Sequence, residues 1–287
     1  MTVHDQIVTQ TAEALLRAST VFRSDQVEAY RRALRDERSD SGRWVLEKII
    51  ENASVAEVRR LPLCDDTGIP HVLIEIGTEA VVPRGFLKAV EEGIALGLKE
   101  LPGRPMAVKG DDEERLGQSA GLHEASEALV MAPPQLRSVA GEAIELTVLM
   151  YGGGPEIRGK TLRVFHKHSA DVVVDEMIAW GSEGARLLGC QPCVLAFGVG
   201  RSNLEAASLS MEAMAKGVFS RQSPLEKRIT DGVNESGVGA LGLGGDCTVL
   251  GTFVKVGPQR ASGIRVVSLR TGCCFDPRRA TTTFKFQ

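Results

Sequence analysis

Residues 194–199, Val-Leu-Ala-Phe-Gly-Val, form a nearly continuous apolar run. A strand of this composition is stable when both of its faces are covered, so it calls for layers packed on either side of a sheet. The run leads through Gly198-Val199-Gly200 into Ser202-Asn203-Leu204-Glu205. That tetrad is a helix-capping box, and Gly217 is the matching stop signal. Other segments read in the same way. His71–Gly77 and Ile144–Met150 have strand composition, as do Thr248–Val256 and Ile264–Leu269. Helical periodicity covers residues 8–37, a stretch capped by Asp40 or Ser41 and running to Asn52, and one from Pro83 to about Lys99. Ser169 caps a long helix to Leu188, and Pro224 starts another to about Asn234. Alternating strands and helices place the chain in the α/β class, with a mixed sheet and surrounding helices.

Residues 102–142 are the least patterned part, and Asp111-Asp112-Glu113-Glu114 reads as a solvated loop. No internal repeat or low-complexity linker interrupts the 287 residues, so a single domain is expected, helical over about residues 1–60. Hydrophobic residues make up 43% and charged residues 25%, an ordinary balance for a globular protein. With 34 basic against 37 acidic residues and no basic block, a nucleic-acid partner is not expected. No apolar run has the length of a membrane span, and the first residues lack the pattern of a signal peptide. A cytoplasmic location is the expectation.

The six cysteines then read as thiols or metal ligands, not as a disulfide framework. Three lie in loops rich in Gly or Pro: Cys64 in Leu-Pro-Leu-Cys-Asp-Asp-Thr-Gly, Cys190 in Gly-Cys-Gln-Pro-Cys, and Cys274 in Gly-Cys-Cys-Phe-Asp-Pro-Arg-Arg. Three thiolates from separate loops can hold three irons of a [4Fe-4S] cluster and leave the fourth open to a substrate oxygen. Cys193 and Cys247 border apolar strands and read as buried thiols. Cys273 adjoins Cys274, and adjacent cysteines seldom ligate one metal together. Cys190-x-x-Cys193 has the spacing of half a zinc site, but a second such pair is missing.

The residues around these cysteines carry a resemblance. Pro62-Leu63-Cys64-x-Asp66-Thr67-Gly68 is similar to the Pro-Leu-Cys-Gln-Asp-Thr-Gly motif of the class I fumarate hydratases. In the same order follow Cys190-x-Pro192, Gly198-Val199-Gly200, Gly237-Val238-Gly239, Leu241-Gly242-Leu243-Gly244-Gly245 and Cys274-x-x-x-Arg278-Arg279-Ala280. The resemblance runs from about residue 40 to 280 and implies the fold of that family's N-terminal domain. It implies a [4Fe-4S] hydro-lyase acting on a small carboxylate such as fumarate, malate or tartrate, with Cys64, Cys190 and Cys274 as ligands. It places Asp66 and Thr67 in the catalytic loop, and Arg104 on a substrate carboxylate. Arg278 and Arg279 would balance the charge of the cluster. The single-chain members add a second domain that completes the site. This chain stops soon after the third motif, so the resemblance implies an α subunit needing a β subunit, in a homo- or hetero-oligomer.

The sequence also departs from the family pattern. Tyr151-Gly152-Gly153-Gly154-Pro155-Glu156-Ile157 stands where the family has Lys-Gly-Gly-Gly-Ser-Glu-Asn. Gly153, Gly154 and Glu156 remain as candidate substrate contacts, since bare backbone N–H groups after a strand can cradle a carboxylate. A family histidine is replaced within Gln259-Arg260-Ala261-Ser262, and His123, His166 and His168 lie elsewhere. These losses keep two alternatives open: dehydration of another hydroxy acid, or a cluster-bearing paralogue with a structural or regulatory role. Gly237-x-Gly239-x-x-Gly242 satisfies a dinucleotide fingerprint, but a strand before it and a helix after it are both missing from the pattern.

Overall fold

The computed structural model describes residues 1–286. In chain order its elements are α1 (Val3–Thr20), α2 (Ser24–Asp36), α3 (Asp40–Arg59), β1 (Ile69–Gly77), α4 (Phe86–Glu100) and α5 (Asp112–Gly117). Next come β2 (Gln135–Val139), β3 (Ile144–Tyr151), α6 (Gly153–Glu156), β4 (Lys160–Phe165), α7 (Ala170–Leu188) and β5 (Cys193–Gly200). The chain closes with α8 (Asn203–Lys216), α9 (Pro224–Asn234), β6 (Val249–Val256), β7 (Ile264–Gly272) and β8 (Arg278–Phe284). The architecture is α/β with mixed sheets flanked by helices. Among the described residues no helix is long and apolar enough to cross a membrane.

The chain divides into two compact units. The first comprises Met1–Val21, Ser54–Gly152 and the described residues from Arg278 onward. Its sheet has the order β2-β1-β3-β8, with β1 parallel to β2 and the other pairs antiparallel. Helices α1 and α4 cover it, burying Ile7, Leu15, Val90, Ile94 and Leu98 against Ile74, Leu146 and Val148. The cap of α1 is reciprocal: the Thr2 hydroxyl accepts from the Asp5 N–H at 3.1 Å, and the Asp5 carboxylate accepts from the Thr2 N–H at 2.9 Å.

The second unit comprises Phe22–Ala53 and Gly153–Pro277. Its sheet has the order β4-β7-β5-β6, in which only β5 and β6 are parallel. Every residue of β5 is buried, as its apolar run requires. Cys193, Leu195 and Phe197 of β5 join Val174 and Met177 of α7, Ile229 and Val233 of α9, and Val267 and Leu269 of β7 in one core. Emptying such a position, as in Phe197→Ala, costs on the order of 3–5 kcal/mol.

Several boundaries differ from expectation. The helix expected over residues 8–37 is two helices, with Val21 and Arg23 both extended. The break is where the chain leaves the first unit and enters the second: Phe22 stacks on Tyr30 with ring centroids 5.5 Å apart. The acidic stretch at 111–114 is not a loop. Asp111 and Glu114 cap each other reciprocally and start α5, all of whose residues stay exposed. Gly85, in the left-handed region at φ +79°, delays α4 to Phe86. Only half of the box at Ser202 forms, because the Glu205 carboxylate accepts from the Arg201 N–H at 2.6 Å. The fingerprint glycines lie in a turn between α9 and β6, with Gly237, Gly239 and Gly242 all at positive φ.

Candidate active site

In the first unit, the loop from Pro62 to Gly68 joins α3 to β1. It is tied at its start, where the Leu63 N–H donates to the Ser19 carbonyl at 2.9 Å. Leu63 is buried, which turns the next residue, Cys64, partly outward. Asp66 folds back so that its carboxylate accepts from the Gly68 N–H at 3.1 Å, an Asx-turn. Gly68 sits at φ +82°, and a Cβ there would lie 2.9 Å from Arg278 Nη2 and 3.1 Å from the Tyr151 backbone. No other residue type fits that point.

Arg278, the first residue of β8, is only 2% exposed. Its Nη1 donates to the Asp66 carbonyl at 2.6 Å and reaches the Thr67 carbonyl at 3.4 Å. The third cysteine motif therefore supplies the clamp for the loop of the first. Arg279, the next residue, is also buried. Thr67 is buried, and its hydroxyl donates to the Arg104 carbonyl at 3.0 Å. Arg104 answers with Nε donating to the Asp65 carbonyl at 2.7 Å. Its guanidinium lies 3.5 Å from the exposed Asp65 carboxylate, a contact that solvent leaves weak. Cys64, Asp66, Thr67 and Arg104 thus share one loop system.

In the second unit, the loops of Cys190 and Cys274 are stitched together: the Cys274 N–H donates to the Cys190 carbonyl at 3.0 Å. Gly189 ends α7 in the left-handed conformation at φ +76° and places Cys190 on the exposed side of the turn. The Cys274 loop is held from within. Buried Asp276 accepts from the Cys273 N–H at 2.7 Å, Tyr30 donates to the Cys274 carbonyl, and the Gln26 amide donates to the Phe275 and Asp276 carbonyls at 3.1 and 3.0 Å. Cys273 Sγ accepts from the Phe275 N–H at 3.4 Å. Tyr30, Gln26 and Asp276 carry no motif of their own in the sequence. Only Asp276, within Asp-Pro, has a turn signal that pointed to it.

Gly153 and Gly154 open α6, and an added Cβ at either would meet nothing within 4 Å. Glu156 is engaged, its carboxylate paired with Arg270. Among the described residues, no group of three or more His, Cys, Asp or Glu side chains is gathered to hold a metal ion. Burial and thiol chemistry set two of the cysteines, Cys193 and Cys247, apart, while Cys273 and Cys274 are both buried. All six are free thiols. Burial pushes the Cys193 thiol up to about 12, and burial, followed by the Glu37 and Asp246 carboxylates, pushes Cys247 up to about 12. Such thiols resist forming the thiolate that a metal needs. Cys190 is exposed and Cys64 partly so, which fits soft thiolate ligation of iron.

Those two buried thiols predict an alkaline weakness. A folded-state pKa of about 12 lies above the unfolded value of about 8.5, so the stabilisation is complete below pH 8.5 and is lost as pH rises towards 12. Each group steepens the loss by up to about 1.4 kcal/mol per pH unit. Urea midpoints from pH 8 to about 10.5 are expected to fall more steeply for the unaltered protein than for Cys193→Ala/Cys247→Ala. Parallel slopes contradict the assignment of these thiols as buried and protonated.

A sequence model of the fumarate hydratase (fumerase) family matches residues 8–283. A Methanocaldococcus jannaschii protein, provisionally named L(+)-tartrate dehydratase subunit alpha, is 27% identical over 283 residues, covering 94% of this chain and 95% of its own. The L(+)-tartrate dehydratase subunit alpha of Escherichia coli strain UTI89 is 24% identical over 260 residues, covering 89% and 83%. The family match spans both units, including the loops of Cys64, Cys190 and Cys274, and the chain belongs to the fumarate hydratase family of hydro-lyases.

Proposed function

We propose that this chain is the cytoplasmic α subunit of a two-subunit hydro-lyase that adds or removes water on a small hydroxy-dicarboxylic acid of the tartrate or malate class. Cys64, Cys190 and Cys274 are its ligands for a [4Fe-4S] cluster. The observation that carries this reading is the backbone hydrogen bond joining the Cys190 and Cys274 loops. It pairs the two cysteines that the motif order selects over their neighbours Cys193 and Cys273. When bound, a cluster with one iron lacking a thiolate supplies a Lewis acid for a substrate oxygen.

The residues of this chain supply position and charge. Asp66 presents a carboxylate oriented by Gly68, able to hold a hydroxyl group in line for proton transfer. Thr67 serves the catalytic loop through its hydroxyl bond to the Arg104 carbonyl. The Arg104 side chain is exposed beside that loop, and its planar guanidinium suits a substrate carboxylate. Gly153 and Gly154, with open space where a Cβ would stand, are the candidate contacts for a second carboxylate, and the Glu156 carboxylate pairs with Arg270. The proton acceptor comes from the β subunit. The "subunit alpha" names of the two relatives, which the chain matches along most of its length, support the two-chain assembly.

The test is anaerobic assay of the α chain alone and assembled with its β subunit, over L-tartrate, fumarate and mesaconate. Turnover is expected only from the assembly. Full turnover by the isolated chain removes the need for a partner. No turnover from an iron-loaded assembly on any of these acids favours another hydroxy acid or the non-catalytic alternative.

A further inference from the structure

A cleft of about 410 Å³ opens in the second unit, at the end of its sheet away from the cysteine loops. Cys190 precedes the first residue of β5, and Cys274 follows the last residue of its antiparallel neighbour β7. The cleft takes Val199 from the other end of β5 and Arg265 from the other end of β7. Roughly 20–25 Å of extended strand separates the two places. A cavity of this size lies in the range of small-molecule sites, and it belongs to a different end of the sheet from the Cys190 and Cys274 loops.

Its walls are apolar: Val173, Val174 and Met177 of α7, with Leu225 of α9. Its fixed charge is the Arg265 guanidinium. Arg265 and His168 line it, and no Asp or Glu does. The Arg265 guanidinium is held by Nη1 donating to the Ser262 and Ile264 carbonyls at 3.3 and 2.9 Å. No carboxylate of the described residues forms an ion pair with it. Three acids on the neighbouring elements are already engaged: Asp171 by Arg228 at 2.6 Å, Glu205 by Arg201 at 2.6 Å, and Glu226 by the Val254 N–H at 2.8 Å. His166 plays a different part from His168. Its Nδ1 accepts from the His168 N–H at 2.9 Å, so its Nε2 is the donor to the Ser262 carbonyl at 2.7 Å. It is a neutral brace for the turn that carries the exposed His168.

We propose that this cleft binds a monocarboxylate with an apolar body, such as a medium-chain acyl acid. Its carboxylate sits on Arg265 and His168, and its tail lies along Val173, Val174, Met177 and Leu225. Arginine matches a carboxylate with two parallel N–H donors. A dicarboxylate of the kind proposed for the cysteine loops is a poor occupant, because its second charge would face apolar walls without a partner. The two sites therefore select different acids.

Calorimetric titration of the full chain with octanoate tests this, with octan-1-ol, octylamine and succinate as comparison ligands. Octanoate is expected to saturate at one site, with the three others binding at least roughly tenfold more weakly. Arg265→Gln keeps an N–H donor for the backbone carbonyls, and it is expected to weaken octanoate by about tenfold or more without changing the circular dichroism spectrum. Leu225→Asp tests the other wall independently and is expected to weaken octanoate as well. Equal affinity for octan-1-ol, or unchanged octanoate binding in both variants, overturns the proposal. So does the absence of saturable binding. The readout needs neither iron nor turnover, so its failure is separate from failure of the hydro-lyase reading.

Discussion

Asp66→Asn is expected to lower turnover of the assembled enzyme by a factor on the order of 10²–10⁴, the usual contribution of a positioned acid–base group. The substitution is nearly isosteric. The bond that Asp66 accepts from the Gly68 N–H can also be accepted by an amide oxygen. The Asp66 backbone carbonyl stays clamped by Arg278. Loop shape should persist, and only the negative charge disappears. Iron content and visible colour are therefore expected to match the unaltered enzyme. Asp65→Asn serves as the comparison: the Asp65 carboxylate is largely exposed, lies 3.5 Å from the exposed Arg104 guanidinium and accepts from the Cys64 thiol at 3.7 Å; its effect should be milder. If Asp66→Asn loses its iron, the carboxylate is structural. If it retains full turnover, the role assigned to Asp66 is wrong.

The second large effect concerns Arg278. A buried guanidinium that binds two consecutive loop carbonyls is costly to remove, because those carbonyls and the cavity remain. Arg278→Met is expected to destabilise the fold by about 2–4 kcal/mol, read as a lower urea midpoint. Arg278→Lys keeps the charge but loses the planar guanidinium whose Nη1 reaches both the Asp66 and Thr67 carbonyls, so it should recover part of the stability. Turnover should fall in both variants, since the Asp66 loop loses its clamp. A urea midpoint unchanged in Arg278→Met would show that the contact contributes little.

Much of the fold was legible in the sequence where one element satisfied one strong rule. The apolar run of β5, the Ser169 cap of α7 and the Pro224 start of α9 each appear where their residues put them. The strands that escaped, β2, β4 and β8, are edges of their sheets. An edge strand needs no continuous apolar run, and Arg-Arg-Ala-Thr-Thr-Thr-Phe in β8 has none. The break between α1 and α2 was hidden because both helices have apolar faces and neither Gly nor Pro separates them. The two-unit division is non-local and left no trace in periodicity. At the candidate site, the cysteine motifs were readable because Gly and Pro mark their loops. The supports were not. The clamp of Arg278 on the Asp66 loop had no local signal, and Tyr30 and Gln26 reach the Cys274 loop from about 250 residues away in sequence. Nothing in a local pattern announces such a partner.

The ligand assignment is the centre of this account, and iron content in the six single Cys→Ser variants tests it most directly. After anaerobic reconstitution, Cys64→Ser, Cys190→Ser and Cys274→Ser are expected to lose stable iron and colour, since each removes a thiolate. Cys193→Ser, Cys247→Ser and Cys273→Ser should keep most of both. Equal iron in all six, or loss confined to the second group, would contradict the assignment.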